Sequence, residues 1–382
     1  MTKIIKNAKL SNKKETVDLL VIDGKFQEIE PYINPKRIDE IIDLKGQTII
    51  PGLFDIHTHG ALGYDFNMAT FDEMKIIMDY YMRNGVTSVL PTVMTDDIDV
   101  IRKQLKLMAK LKPIYPIMKG IHLEGPFLSM KYKGAQPESA ILKPSVELFK
   151  ELMEDSHHLI KYTTLAPEIE GAIDLIDYCK TIGVRVTLGH SDASFEETNL
   201  ALKHGASSFT HMFNAMRPFD HHGPGIVGAA LMSNAYTEMI LDGKHLDPNT
   251  VLFLKKMRGM DKLIIITDSI MAAGLNDGNY FLGKTPIYVR NGDARLISNN
   301  ARAGSTLNPF QALVNFSEFT KTPITKSIEL MSKNPARMLG LDDMVGSIEI
   351  GKNADFLVIN KHELLEVYSE GNQVYKKGAV TK

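Results

Sequence analysis

The chain has 382 residues, 44% of them hydrophobic and 24% charged, and its 44 Lys and Arg against 46 Asp and Glu leave a net charge of −2. These values exclude a mainly disordered chain, and they exclude the global positive field that attracts nucleic acid or anionic lipid membranes. The single cysteine cannot form an intramolecular disulfide, and no apolar run approaches the ~18 residues of a membrane span or the core of a signal peptide, so we expect a cytoplasmic protein.

Strand-like segments occupy both ends of the chain. Short apolar runs that close on turn residues predict strands at 4–10, 16–23, 25–29 and 38–43, and again at 347–350, 356–359, 364–368 and 373–376. A single hydrophobic core usually stops growing at about 250 residues, so we expect a second, smaller domain. The two ends together predict a small β-sandwich domain made of residues 1–50 and 345–382.

The middle of the chain alternates short apolar runs with helical patterns. Helices are predicted to begin at the capping boxes that open with Thr70 and Ser194 and to stop at Gly85 and Gly205. Eight strand–helix units predict the α/β fold class, with a (β/α)8 TIM-like barrel over residues 51–344; a doubly wound open sheet is the alternative. The eight apolar runs are 53–57, 88–92, 118–123, 160–165, 185–188, 208–211, 238–241 and 263–267.

Residues 280–297 interrupt this alternation. The dipeptide Asn291-Gly292 lies between two strand-like runs, which predicts a β-hairpin inserted after the eighth strand. Helices are then predicted at 309–319 and 324–339, and they return the chain to the small domain.

Polar side chains follow several of the predicted barrel strands. Barrel enzymes carry their chemistry at the carboxyl ends of the strands, and side chains two residues apart on a strand point to the same side. A lone histidine at a strand end is more often a structural residue than a ligand, but a set that recurs on five strands is harder to explain in that way. The set is His57, His59, Glu124, His190, His211 and Asp268.

The types of these residues indicate a particular chemistry. Twelve His against one Cys mean that a metal site here is built from imidazole and carboxylate, which suits a catalytic divalent zinc, iron or another first-row ion. Such an ion activates water and polarises a carbonyl. Hydrolysis also needs a general acid/base, for which Asp268 is the candidate; the alternatives for Asp268 are a metal ligand or a loop cap.

Two runs of sequence carry a resemblance to a known superfamily. PGLFDIHTHG at 51–60 is similar to the opening signature of the amidohydrolase superfamily, and NPARMLGL at 334–341 followed by GSIEIGKNAD at 346–355 resembles its return to the β-sandwich. More narrowly, the chain resembles the N-acetylglucosamine-6-phosphate deacetylases over essentially its whole length. The motifs that carry this narrower resemblance are HLEGPF at 122–127, KGA at 133–135, GHSD at 189–192, HMFNAM at 211–216, DGKH at 242–245, TD at 267–268 and AGS at 303–305.

The resemblance implies roles for individual residues. It implies one ion held by Glu124, His190 and His211, with Asp268 as the acid/base, and the presence of both His57 and His59 implies a second ion bridged by Glu124. It also implies a homodimer, or a higher homo-oligomer, in which one substrate-contacting histidine, His245, reaches the neighbouring subunit's site. The substrate-binding residues that it implies are Ala135, Gln136, Asn214, Ala215, His222, His245, Arg302, Ala303 and Gly304.

The sequence departs from the family pattern at two positions. Gln136 stands where many members have a histidine that helps to polarise the amide carbonyl. His222 stands where the usual arginine pairs with the sugar phosphate, and imidazole lacks the bidentate fork of a guanidinium. Arg217 or Lys244 is available to supply the positive charge from another direction.

The resemblance implies a metal-dependent hydrolase that converts N-acetyl-D-glucosamine 6-phosphate to D-glucosamine 6-phosphate and acetate. Two alternatives stay open. One is another C–N hydrolase on the same scaffold, acting on an unphosphorylated N-acetyl sugar, an N-acyl amino acid or a cyclic amide. The other is a non-catalytic relative that keeps the fold as a binding module.

Overall fold

The computed structural model describes residues 1–10, 15–35 and 37–379. In this part of the chain, eight parallel strands form a nearly closed barrel covered by helices, and both chain ends together form a second, mostly antiparallel sheet. The predicted fold class is therefore confirmed. None of the helices described combines the length and the apolar character needed to cross a membrane.

The strands are β1 (Thr2–Leu10), β2 (Val17–Ile22), β3 (Lys25–Glu30), β4 (Glu40–Asp43), β5 (Thr48–Pro51), β6 (Leu53–Thr58), β7 (Gly60–Ala61), β8 (Tyr64–Asp65), β9 (Val86–Met94), β10 (Ile121–Glu124), β11 (Ile160–Leu165), β12 (Arg185–Leu188), β13 (Ser208–Phe209), β14 (Tyr236–Ile240), β15 (Leu263–Ile266), β16 (Gly278–Leu282), β17 (Thr285–Arg290), β18 (Asp293–Leu296), β19 (Phe356–Asn360), β20 (Glu363–Ser369) and β21 (Asn372–Lys376).

The α-helices are α1 (Phe71–Arg83), α2 (Ile98–Leu111), α3 (Val146–Asp155), α4 (Ala172–Thr181), α5 (Phe195–His204), α6 (Gly225–Met232), α7 (Pro248–Arg258), α8 (Pro309–Thr320), α9 (Ile324–Ser327) and α10 (Lys333–Leu339). Three short 3-10 helices lie at Met130–Tyr132, Glu138–Ala140 and Ile328–Met331.

The barrel runs from β6 through β9 to β15, with each strand parallel to the next. All nine residues of β9 are buried, because the barrel interior covers one face of the strand and the helices cover the other. The helices dock through apolar faces; α1 begins at a capping box in which Thr70 and Glu73 satisfy each other's main-chain N–H groups, and it buries Met74 and Tyr81.

The barrel closes between its first and last strands without a regular ladder. The N–H of Asp268 donates to the carbonyl oxygen of His57 at 2.9 Å, and the hydroxyls of Thr58 and Ser269 lie 2.9 Å apart. We call this line of contacts between β6 and the residues after β15 the seam. The seam lies at the carboxyl end of the strands, which is also the end where the predicted site residues lie.

The terminal sheet has the order β21-β20-β19-β5-β1-β2-β3, with β4 on β1. Strand β1 pairs with β4 in its first half and with β5 in its second half, and it changes partner at Asn7, whose φ is 54°. Both halves share one core, in which the rings of Phe356 and Tyr368 stack 4.5 Å apart. Because β5 leads directly into β6, this sheet anchors the first barrel strand. The boundaries at residues 50 and 345 stay a prediction.

Several segments differ from expectation. The predicted strand at 347–350 is wrong: these residues lie in a loop, and Gly346 and Gly351 on either side of them have φ of 94° and 90°. The predicted helix 324–339 is interrupted at Ser332, because Pro335 has no N–H to donate to the turn before it. Strand β5 was not predicted. In the segment 280–297, β16, β17 and β18 form an antiparallel sheet that turns at Asn291-Gly292.

Candidate active site

The carboxylate of Glu124, at the end of β10, is the centre of a buried polar cluster. Its Oε1 lies 3.3 Å from Nε2 of His57, 3.1 Å from Nε2 of His190 and 3.3 Å from Nε2 of His211. Its Oε2 lies 3.4 Å from Nε2 of His59. All five residues predicted as metal ligands therefore meet at one point, and each of them is at most 5% exposed.

Two of the imidazoles have a fixed proton position. Nδ1 of His190 lies 3.0 Å from the carbonyl oxygen of Tyr132, which can only accept, so Nδ1 carries a proton, and Nε2 is the nitrogen that faces Glu124 and can offer a lone pair to a cation. Nδ1 of His57 lies 3.2 Å from Oε2 of Glu238, and an ionised carboxylate also only accepts, so this Nδ1 carries a proton as well. Hydrogen-bonded partners of this kind are typical of the histidine ligands of metal ions.

The cluster contains two overlapping trios that share Glu124. One is His57, His59 and Glu124; the other is Glu124, His190 and His211; in each, the donor atoms lie within 4.8 Å of one another. The Nε2 atoms of His190 and His211 are only 3.1 Å apart. A lone pair held this close to a second ring nitrogen needs a proton or a cation between them, so the donor set fits a divalent metal ion.

Charge interactions within the cluster shift several pKa values. Burial raises the pKa of Glu124, but the charge of His57 and the hydrogen bonds from His190 and His211 outweigh it and hold the pKa well below its usual range. Burial lowers the pKa of His57, but Glu124, Glu238 and Asp268 together hold it well above its usual value. The same negative charges stabilise a metal ion that replaces the proton.

Asp268 follows β15 and faces the first trio. Its Oδ1 lies 3.1 Å from Nε2 of His59. Burial raises its pKa, but the hydrogen bond from His59 and the charges of His57 and His211 outweigh it, so the pKa lies below its usual value. Its main chain is fixed on both sides: its N–H donates to His57, and its carbonyl oxygen accepts from Ser305 at 2.8 Å. The carboxylate is therefore ionised at neutral pH and held in place.

Three of these side chains leave their strands on unusual backbone. His190, His211 and Asp268 have φ of 48°, 27° and 48°, in the left-handed region that non-glycine residues rarely adopt. Such conformations concentrate at functional sites, where the surrounding structure holds them. They explain why β13 ends at Phe209 instead of at 211 as predicted: the chain turns out of the sheet to aim the imidazole of His211 at Glu124.

A cavity of about 360 Å³ opens above the cluster. Eight of the nine residues predicted to bind substrate line it: Ala135, Gln136, Asn214, Ala215, His245, Arg302, Ala303 and Gly304. Gly304 is required where it is, since a Cβ there would lie 2.4 Å from Ile270 and 3.0 Å from the carbonyl oxygen of Asp268. His59, Glu124, His190, His211 and Asp268 lie at the floor of the same cavity.

His222 is the predicted residue that the structure does not bring to this cavity. It lies in a separate exposed depression with Arg217 and Phe219. His245, in contrast, lines the cavity of its own chain, and its Nδ1 lies 2.7 Å from Oδ2 of Asp242. The hydrogen bond from His245 helps to overcome burial and keeps the pKa of Asp242 low.

Residues that the sequence analysis did not assign also belong to the site. Lys131 and Tyr132 line the cavity, and Nζ of Lys131 lies 2.9 Å from Oδ2 of Asp192. Glu238 is fully buried beneath the cluster. One sequence signal could have identified Glu238: it is a charged residue at the start of the apolar run 238–241. His122, which received no role, is also buried; burial holds its pKa well below the usual value, so it is neutral.

Comparison with known proteins agrees with this geometry. The amidohydrolase family model matches residues 48–381. The N-acetylglucosamine-6-phosphate deacetylase of Bacillus subtilis is 36% identical over 364 residues, covering 92% of this chain and 90% of the relative. The N-acetylgalactosamine-6-phosphate deacetylase of Escherichia coli O157:H7 is 33% identical, with 94% and 96% covered.

Solved structures give the same result. A mutant N-acetylglucosamine-6-phosphate deacetylase from Mycobacterium smegmatis, in complex with N-acetyl-D-glucosamine-6-phosphate, superposes with a TM-score of 0.90 at 27% identity, covering 98% of this chain and 99% of that one. The enzyme from Pasteurella multocida gives a TM-score of 0.90 at 30% identity with the same coverage. The chain therefore belongs to the amidohydrolase family, among the N-acetylglucosamine-6-phosphate deacetylases, and is a hydrolase.

Proposed function

We propose that the chain hydrolyses the acetamide of N-acetyl-D-glucosamine 6-phosphate to D-glucosamine 6-phosphate and acetate, as a cytoplasmic enzyme of amino-sugar catabolism and cell-wall sugar recycling. The observation that carries this proposal is the convergence of four imidazoles on Glu124 at the floor of a cavity, with Asp268 beside His59. The names of the relatives supply the substrate class.

The metal ligands in this proposal are the two trios. Glu124, His190 and His211 hold one divalent ion, and His57 and His59 hold a second one with the same carboxylate. A divalent ion, zinc or iron, polarises the acetamide carbonyl when bound and lowers the pKa of a water molecule toward ~7. The buried histidines contribute by holding their Nε2 atoms around Glu124, where those atoms can bind the ion.

Asp268 carries the proton in the proposed reaction. Its carboxylate accepts a proton from the water molecule as the water oxygen forms a bond to the acetamide carbon. It then donates that proton to the nitrogen as the C–N bond breaks, which releases the amine and acetate. The lowered pKa of Asp268 keeps the base form available at neutral pH, and the seam contacts hold its oxygen in position.

Cations at the cavity provide a place for the phosphate without His222. Lys131 and Arg302 both line the cavity. Asp192 is shared by Lys131 and Arg217, so this group of three side chains keeps one net positive charge. We propose that Lys131 contributes that charge to the phosphate of the substrate.

A second substrate has support from one relative. The enzyme from Escherichia coli O157:H7 is named for N-acetylgalactosamine 6-phosphate, which differs from the first substrate only in the configuration at C4. An unphosphorylated N-acetyl sugar is the further alternative, since His222 replaces the usual arginine.

Acetate release tests the proposal. The protein is loaded with Zn²⁺ or Fe²⁺, its metal content is measured, and kcat/KM is compared for the two sugar phosphates and for N-acetyl-D-glucosamine. We expect the highest kcat/KM with N-acetyl-D-glucosamine 6-phosphate. A metal-loaded protein that releases no acetate from any of them contradicts the proposal.

The family relationship also supports a homodimer or a higher homo-oligomer. The resemblance implies this through His245, as a residue that reaches the substrate of a neighbouring subunit. Light scattering gives the mass in solution, and a monomer would contradict the homodimer.

A further inference from the structure

Glu238 is a fully buried carboxylate in the middle of β14. Its Oε2 lies 3.2 Å from Nδ1 of His57 and accepts a hydrogen bond from the N–H of His211 at 3.1 Å. Its Oε1 accepts a hydrogen bond from the hydroxyl of Tyr162 at 2.6 Å. Glu238 does not line the cavity, so it acts on substrate only through its neighbours.

This carboxylate contacts both trios, by different means. It reaches the first trio through the side chain of His57, and among the described residues that imidazole has no other Nδ1 partner. It reaches the second trio through the main chain of His211. There the next residue is also tied to β14, because Met212 N–H donates to the Glu238 carbonyl oxygen at 2.9 Å. That main-chain bond does not depend on the Glu238 side chain.

The contact with Glu238 decides which ring nitrogen of His57 carries a proton. An ionised carboxylate only accepts hydrogen bonds, so Nδ1 of His57 carries a proton, and Nε2 is the nitrogen left to face Glu124 and to bind a cation. A buried carboxylate is costly unless it is hydrogen-bonded or faces positive charge. The described partners of Glu238 include no Lys or Arg, so the positive charge available to it is on His57 or beyond that ring.

We propose that Glu238 is a positioning residue that holds His57 in the orientation and tautomer needed to bind a divalent cation. Its side chain therefore controls binding by the trio His57, His59 and Glu124 more than binding by the trio Glu124, His190 and His211. This inference rests on the proposed function only through the assignment of the ligands.

The test measures Zn²⁺ binding, with two variants of the full chain. Glu238→Met removes the acceptor, whereas Glu238→Gln keeps an oxygen that can face His57 and His211. Zn²⁺ per chain is measured by elemental analysis, and the two dissociation constants are measured by competition with a chelator. We expect Glu238→Met to weaken one binding step about 10- to 100-fold and to leave the other within a few-fold. Glu238→Gln is expected to restore most of the lost affinity.

A matched control is Tyr162→Phe, which removes the partner of the other carboxylate oxygen and leaves the contact with His57. We expect this variant to keep both dissociation constants near those of the unmodified chain. Equal weakening of both steps by Glu238→Met, unchanged binding in that variant, or an unmodified chain that takes up only one ion at saturating Zn²⁺ overturns the proposal. If Glu238→Met does not fold, long-range ¹H–¹⁵N spectra of the Zn²⁺-loaded unmodified chain report the His57 tautomer, and a proton on Nε2 overturns the proposal.

The outcomes separate this inference from the proposed function. Selective loss of one ion in Glu238→Met, in a protein that releases no acetate, supports the positioning role and contradicts the deacetylase activity. Full acetate release and unchanged Zn²⁺ binding in the same variant support the deacetylase activity and contradict the positioning role.

Discussion

Nε2 of Gln136 donates a hydrogen bond to Oε2 of Glu124 at 2.7 Å, and Oε1 of the same amide accepts one from Thr95 N–H at 3.1 Å. Because a main-chain N–H can only donate, the orientation of the Gln136 amide is fixed, and its NH₂ must face Glu124. Gln136 is buried and lines the cavity. It therefore steadies the shared carboxylate from the wall of the cavity.

Replacing Gln136 by Leu removes this contact at similar volume. A hydrogen bond to a charged group contributes about 1.5–3 kcal/mol, so we expect kcat/KM to fall about 10- to 100-fold. Gln136→His, which introduces the imidazole that the family resemblance implies at this position, is the matched comparison and is expected to keep most of the activity. Steady-state kinetics at measured metal content check this, and a Leu variant with unchanged kcat/KM would show that the contact has no role in turnover.

Asp268→Asn removes the proton acceptor and keeps the shape of the side chain. General acid–base catalysis contributes about 10²- to 10⁴-fold, and we expect kcat to fall by at least that much. The metal content should stay unchanged, because the five histidine and glutamate ligands are intact. Kinetics together with elemental analysis test this. A variant that retains metal and turns over at the original rate would place the acid/base function on another residue.

Lys131→Met tests the phosphate contact. We expect KM for the phosphorylated sugar to rise about 10-fold, the equivalent of 1.4 kcal/mol, while KM for N-acetyl-D-glucosamine stays the same. Lys143→Met is the control, because Lys143 pairs with Glu170 on the surface outside the cavity. Equal changes in KM for both substrates would show that Lys131 acts on something other than the phosphate.

The buried carboxyl group of Asp355 makes the free energy of unfolding depend on pH. Burial raises its pKa to about 6, against 3.8 ordinarily, although Lys119 partly offsets the shift. A raised pKa means that the folded state prefers the protonated carboxyl, so this group's contribution to stability is complete below pH 4 and is lost as the pH rises toward 6. The loss is at most about 3 kcal/mol, at 1.36 kcal/mol per pKa unit.

Asp355→Asn mimics the protonated form and isolates this contribution. We expect the free energy of unfolding of the variant, relative to the unmodified chain, to increase between pH 4 and pH 6 and then to level off. Urea denaturation at several pH values measures it. A difference between the two proteins that does not change with pH would show that Asp355 has an ordinary pKa in the fold.

The sequence predicted which side chains cluster better than it predicted the segments around them. The alternation of side chains on a strand places His57 and His59 together, and the strand-end rule for barrels brings Glu124, His190 and Asp268 to them. Lys131 was not predicted, because the loop after β10 has no periodicity from which its direction could be read. Glu238 was not predicted, because a carboxylate inside a strand becomes meaningful only when its partners on other strands are known.

Because of the seam, the arrangement of the site depends on closure of the barrel. Thr58 and Ser269, whose hydroxyls meet there, are 211 residues apart in the chain, and the main-chain bond from Asp268 to His57 likewise joins β6 to the residues after β15. The ligands of the first trio and the acid/base are therefore correctly placed only after the barrel has closed, and such distant pairings form slowly. A cation that binds only the closed barrel shifts the opening equilibrium of the seam by mass action. Amide hydrogen exchange at Asp268 would thus report metal occupancy and barrel closure in one measurement.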